Sequence, residues 1–186
     1  MTASNPLRIL RLLDDNLSAS FTLYVYGRSA LALGYAESPA VFHATMDVDA
    51  ILPARDIQAL EANRDFWRAQ QAVNDALGAT GLYFTHLFEE RQVILTPDWL
   101  QKVVPIERLG FRQLMLRRPS TADLILTKMM RVDPQDREDI GFLLAQRDVS
   151  EAEVRRAIRV ALVPEVQEIR DAFAQNQEWL MQQFKA

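Results

Sequence analysis

The chain reads as an α+β protein. A small mixed β-sheet with flanking helices is expected over residues 1–118, and a C-terminal helical bundle packed on that core over 119–186. Three observations predict this. Short runs rich in β-branched and aromatic residues alternate with helical patterns in the first two thirds of the chain. Beyond Pro119 the apolar residues recur at helical spacing behind capping signals. The composition, 49% hydrophobic and 25% charged over 186 residues, is that of a globular chain with material for a core.

The elements follow in order. "NPLRILRLLDDNL" has a helical period, with Asn5 as its cap and Pro6 in its first turn. "FTLYVYG" (21–27) is a strand ending in glycine, and "RSALALGY" is a short helix. "ESPAVFHAT" is a loop. "MDVDAILP" is the second strand, with Met46, Val48 and Ala50 on its core side and Pro53 as its stop. "DIQALEANRDFWRAQQAVNDALG" (56–78) is one long helix between an Asp56 cap and a Gly78 terminator. "GLYFTHLF" and "RQVILT" are two strands joined as a hairpin through "EE". "PDWLQKVVP" is a turn or short helix, and "FRQLMLRRP" (111–119) is a fifth strand.

The helical region carries sharper punctuation. Ser120 stands three residues before Asp123, close to a capping box. Asp133 precedes Pro134 at a helix start. Ser150 and Glu153 form a second capping box. Pro164 opens a last helix whose stripe is Val166, Ile169, Phe173, Leu180 and Phe184.

Charge and composition exclude several classes of function. A net charge of −4 gives no bulk attraction to nucleic acid or anionic lipid. A nucleic-acid partner would need a local patch such as Arg112, Arg117 and Arg118, although such clusters are more often solvated strand ends. The chain has no cysteine and only two histidines, His43 and His86. Disulfides and thiolate metal sites are excluded, and any metal would be held mainly by oxygen, which favours Mg2+ or Mn2+. Charges at Arg8, Arg11, Asp14 and Asp15 interrupt any leader-like apolar run, and no stretch approaches a membrane span, so a cytoplasmic location is expected.

The stretch "TMDVDAILP" sets the functional question. Asp47 and Asp49 lie at i and i+2 of a strand, so they share a face with Cα atoms roughly 6–7 Å apart. Aspartate is a poor strand residue, and two like charges at that spacing repel. A solvated acidic face explains them, and so does a divalent-metal site. "YVYGRSAL" bears on the choice. A strand that ends at Gly27 and turns at once into a helix points backbone N–H groups outward beside Ser29, which suits a phosphate. An ordinary serine cap has the same pattern. With the D-x-D strand behind it, the turn would hold a triphosphate tail and the strand the metal that bridges it.

Gly27-Arg28-Ser29 after a strand, followed by Thr45-x-Asp47-x-Asp49, resembles the DNA polymerase beta-like nucleotidyltransferase superfamily. "LTKMMRVDPQDREDIGFLL" (126–144) resembles the lysine and R-D-x-x-D-I/L region of uncharacterised bacterial nucleotidyltransferases related to the type IV abortive-infection toxin. The resemblance implies a fold with a small mixed sheet, a nucleoside triphosphate substrate, an RNA or protein acceptor, and a cognate antitoxin partner. It implies Mg2+ or Mn2+ on Asp47 and Asp49, nucleotide binding by Gly27, Arg28 and Ser29, and catalytic roles for Asp47, Asp49, Lys128 and Asp139, with Asp136 beside them. From its spacing alone, Lys128 is equally a core-covering stem with a solvated amine, and Asp139 a salt-bridge partner of Lys128, Arg131 or Arg137.

Three departures from the superfamily pattern stand out. Arg28 separates the glycine from the serine, where it either binds phosphate or blocks the turn. The gap from Gly27 to Asp47 is long, so "GYAESPAVFHA" is an insertion. No third carboxylate stands on a later strand in an h-D-h pattern; Glu89, Glu90 and His86 are the nearest candidates. A catalytically weak or inactive nucleotide-binding or partner-binding module on the same fold is therefore the alternative to an active enzyme.

Overall fold

The computed structural model describes residues 4–184, apart from the side chains of Thr85 and His86. The chain divides into two compact units. The first comprises residues 1–89 and 104–118, and the second residues 90–103 and 119–186. The segment 90–103 thus groups with the C-terminal helices, not with the residues that precede it in sequence.

The first unit is built on a five-stranded mixed sheet in the order β3-β2-β1-β5-β4. Its strands are β1 (Phe21–Tyr26), β2 (Asp47–Leu52), β3 (Tyr83–Glu89), β4 (Val104–Pro105) and β5 (Leu114–Arg118). β1 runs antiparallel to β2 and parallel to β5. β2 and β3 are parallel, so a crossover connection joins them. That crossover is α4 (Ile57–Glu61) and α5 (Arg64–Leu77).

Register puts the apolar residues on one face. Val25 lies opposite Ala50, Val48 opposite Phe84, and Ala50 opposite Leu87. Phe84 and Leu87 are three apart yet both pair with this face of β2, because a bulge in β3 sets two residues against the single Asp49. α5 covers this face: Phe66 stacks on Phe21 at 4.4 Å and meets Phe84 edge-on at 6.1 Å. α1 (Asn5–Asn16) packs beside α5 and buries Ile9, Leu10 and Leu13 completely. Each such side chain contributes roughly 1.5–3 kcal/mol of transfer free energy. The opposite face carries Tyr24, Tyr26, Asp47, Asp49, Ile51 and Phe88, with Tyr26 and Phe88 in edge contact at 5.7 Å. The outer edge of β3 is blunted by Asn74, whose Oδ1 accepts from Phe84 N at 2.9 Å and whose Nδ2 donates to Phe84 O at 3.2 Å.

Several elements differ from the sequence expectation. The helix over 56–78 is broken: a turn at 54–56 precedes α4, and Asn63 caps α5 by accepting from Phe66 N at 3.0 Å. An asparagine inside a helical period looks like a solvated position until its side chain bonds the next turn. The left-handed terminator is Gly81 (φ +71), not Gly78, which continues into a further turn. Ser4 caps α1, and Asn5 is its first residue. Met46 lies before β2 and is 45% exposed, not on the core side. The expected loop 37–45 contains a short helix, α3 (Ala40–His43).

The second unit consists of α6 (Thr121–Lys128), α7 (Pro134–Leu144), α8 (Glu151–Val160) and α9 (Gln167–Gln183), with the segment 90–103. "RQVILT" is not a strand. Val93, Ile94 and Leu95 are buried, but only Leu95 makes an isolated bridge, to Leu162. A short apolar run reads alike as a strand or as a buried irregular segment. The predicted caps of α6, α7 and α8 are present, including both halves of the Ser150–Glu153 box. α9 begins at Gln167, beyond Pro164, and leaves Val166 exposed. Its buried stripe includes Asn176, whose Nδ2 donates to the Met129 and Arg131 carbonyls. No helix among the described residues is long and apolar enough to cross a membrane.

α1 is fastened to the sheet by one buried carboxylate. Asp14 accepts the backbone N–H groups of Arg112, Gln113 and Leu114 at 2.7–3.1 Å, at the entry to β5. Burial alone would raise this carboxyl; the three N–H donors and the Arg112 charge outweigh it and hold Asp14 below the ordinary aspartate value. The stabilisation is therefore complete above the unfolded aspartate pKa of about 3.9 and is lost as pH falls through the lower folded value. Asp14→Asn is expected to cost about 1–3 kcal/mol at pH 7. Urea unfolding at pH 7 and pH 3 checks this: the gap between wild type and variant should narrow at the lower pH, and equal stability at pH 7 would contradict it.

Candidate functional site

The site is assembled where β1 ends and β2 begins. Antiparallel pairing sets Tyr26 opposite Asp49, so the residue after β1 lies beside the aspartate pair. That residue is Gly27, with φ +64, a conformation that costs an L side chain roughly 1–2 kcal/mol. A Cβ there would stand 3.9 Å from Asp49 Oδ2, an ordinary contact, so the backbone angle and not space calls for glycine. α2 (Gly27–Gly34) starts in the same residue, and Tyr26 at its N-cap supplies no side-chain acceptor. The helix start thus offers backbone N–H groups and the positive end of its dipole beside Asp49.

Asp47 and Asp49 are both half-exposed, while Val48 and Ala50 between and after them are fully buried. The pair therefore shares the face away from α1 and α5. Thr45 Oγ1 donates to Asp47 Oδ1 at 2.9 Å and orients that carboxylate. Ser29 is 2% exposed, and its Oγ donates to the Asp47 carbonyl oxygen at 2.8 Å. A hydroxyl has one proton to give. Ser29 spends it on the strand, so it fixes the start of α2 against the start of β2 and can meet a phosphate only through its backbone N–H. Arg28 lies with its guanidinium 5.6 Å from the centre of the Phe42 ring.

The fit to a hard dication follows from the donor set. Two carboxylates are the usual protein share of a Mg2+ site that leaves positions for water and substrate phosphate. Among the described residues no group of three or more acidic or histidine side chains is arranged to hold a metal. Glu89 pairs with Leu52, at the far end of β2 from Asp47, about 16 Å away at strand rise. Glu90 belongs to the second unit and accepts from Trp99 Nε1 at 3.0 Å. His86 lies in the bulge opposite Asp49, and its side chain falls outside the described residues.

The remaining sequence candidates lie in the second unit. Lys128 Nζ sits 2.9 Å from Asp136 Oδ1 and 2.6 Å from Asp139 Oδ2, and Arg131 Nε donates to Asp136 Oδ2 at 2.7 Å. Asp139 is fully buried, with Lys128 and Asp136 nearly so. Burial works to raise the Asp136 carboxyl; the Arg131 hydrogen bond and the Lys128 charge outweigh it and hold it below the ordinary value. This is a closed ionic cluster that ties α6 to α7, with Lys128 as its centre. The Arg112, Arg117 and Arg118 cluster is not one patch: Arg112 pairs with Asp15 at 2.8 Å, and Arg118 is buried against the Tyr35 ring. Sequence reasoning missed Thr45 as an orienting donor and Phe42 as the partner of Arg28. Thr45 stood at i−2 of Asp47; Phe42 lay in a segment read as loop.

Lys128→Met should destabilise the chain by about 3–5 kcal/mol, because Asp139 would keep a buried charge without its cation. Urea denaturation measures this, and a loss under about 1 kcal/mol would show that the cluster does not hold α6 to α7.

The sequence was compared with known proteins. No curated protein and no solved structure matches it. Residues 8–180 match the family described as "Nucleotidyltransferase of unknown function (DUF6036)", a span that includes the Gly27 turn, the aspartate pair and the ionic cluster alike. The chain belongs to this nucleotidyltransferase family.

Proposed function

We propose that the chain is a metal-dependent enzyme that moves a nucleoside monophosphate from a nucleoside triphosphate to a hydroxyl of an RNA or protein acceptor. The observation that carries the proposal is the position of the Gly27 turn, with its glycine beside the Asp49 carboxylate and a helix start that Tyr26 does not cap through its side chain. Asp47 and Asp49 would hold Mg2+ or Mn2+. Bound there, the ion would neutralise phosphate charge and lower the pKa of the attacking hydroxyl. The N–H groups at the start of α2, with Arg28, take the β- and γ-phosphates. The acceptor oxygen bonds to the α-phosphorus, the bond to the bridging oxygen breaks, pyrophosphate leaves, and the hydroxyl proton passes to water. Thr45 and Ser29 contribute by holding Asp47 in place. Lys128 and Asp139 receive no step, since each is paired inside its own cluster. The toxin-like role and the antitoxin partner rest on the resemblance of the 126–144 segment alone.

A specific observation favours a second reading, a nucleotide- or partner-binding module with little or no turnover. Glu89 lies at the far end of β2 from Asp47, and among the described residues no third acidic or histidine side chain joins the pair in a metal-holding group.

Incubation with each of four α-labelled nucleoside triphosphates, with Mg2+ or Mn2+, separates the two. Total RNA and total protein serve as acceptors, and Asp47→Ala/Asp49→Ala as control. Transfer that falls by at least a hundredfold in the control is the expected result. Metal-dependent nucleotide binding without transfer would leave the binding module. Transfer unchanged in the control would contradict the assignment of the aspartates.

A further inference from the structure

The insertion between α2 and β2 does more than span a gap. Its helix α3 is tied down at several points. Asn5 Nδ2 reaches Ala44 O, at the C-terminal end of α3, at 3.3 Å. Ser38 Oγ donates to Ala32 O at 2.9 Å and lies 2.7 Å from His43 Nε2. The Ser38 proton is spent on Ala32, so His43 donates through Nε2. This leaves Nδ1 as the ring's lone-pair side, which fits its burial without a hydrogen-bond partner. The Ser38–His43 pair is thus a fastening of α3 to the last turn of α2, and not an activated nucleophile.

The fastening holds Phe42 at 3% exposure, with the Arg28 guanidinium 5.6 Å from its ring centre. Arg28 follows directly on Gly27, the residue beside Asp49. A guanidinium lying over an aromatic ring is held through its flat face, and its planar fork of N–H groups has the geometry that takes two phosphate oxygens at once. We propose that Phe42 is a positioning residue that sets the Arg28 fork for the triphosphate tail, and that the insertion thereby selects nucleoside triphosphates over monophosphates. This rests on the reading of the Gly27 turn as a phosphate site.

Titration of the full-length protein with Mg2+ and a triphosphate analogue blocked at the α–β bridge tests it, with the nucleoside monophosphate in parallel. Phe42→Leu keeps an apolar side chain but removes the ring face; Phe42→Tyr and Phe42→Trp restore it. Arg28→Met removes the cation. Phe42→Leu should weaken triphosphate binding about threefold to tenfold, with monophosphate binding within twofold of wild type. Phe42→Tyr or Phe42→Trp should recover most of the loss, and Phe42→Leu should add little to Arg28→Met. A thermal melt of each variant removes any that fails to fold. If Arg28→Met weakens triphosphate binding and a folded Phe42→Leu does not, the positioning role is overturned while the phosphate site stands. Equal loss for triphosphate and monophosphate, or normal binding by Arg28→Met, also overturns it. If the wild type binds no triphosphate with Mg2+, the reading of the site itself fails, and this inference with it.

Discussion

The bond from the Ser29 hydroxyl to the Asp47 carbonyl joins the first turn of α2 to the first residue of β2. The candidate site depends on that junction. The β1–β2 register brings Asp49 opposite Tyr26, and the positive φ of Gly27 lets the chain enter a helix with no intervening loop. The hydroxyl then stops the helix start from drifting off the strand. The outcome is a turn that sets the positive end of a helix beside the aspartate pair. Opposite charges are thereby brought close, with the acids on the rigid strand and the donors on the turn.

Carboxylates elsewhere in the chain are buried among their donors. Asp14 is saturated by three backbone N–H groups. Asp136 and Asp139 are closed around Lys128. Asp123 accepts from Thr96 N and Ser120 Oγ. All four are nearly or fully buried. Asp47 and Asp49 instead stay half-exposed on a strand, where aspartate is disfavoured and the two charges oppose each other. That cost has a use if an oxygen-seeking cation is meant to bind between them.

The legible parts of the fold were those written in local chemistry. β1 and β2 showed in their β-branched and aromatic content. The caps of α6, α7 and α8 showed because a cap is decided within four residues. The aspartate pair and the glycine turn were likewise visible as short motifs. What could not be read depended on distant partners. The break at Asn63 turns on one side-chain bond, and the buried run 93–95 finds only a single bridge, from Leu95 to Leu162 far along the chain. Asn176 is buried only because two carbonyls past α6 need a donor. Ser29 looked like a phosphate ligand because its motif is local, whereas its acceptor lies eighteen residues on. Lys128 and Asp139 were found by resemblance; the structure shows them satisfied by each other.

The most direct test of the central claim, that Asp47 and Asp49 are a cation site completed by a nucleotide, is Mn2+ binding followed by electron paramagnetic resonance. Wild type and Asp47→Asn/Asp49→Asn would be compared, each with and without a non-reacting nucleoside triphosphate. The account predicts one bound Mn2+ in wild type, tightened by the nucleotide, and none at that affinity in the variant. Equal Mn2+ binding by both proteins, with both folded, would contradict it and return the pair to a solvated acidic face.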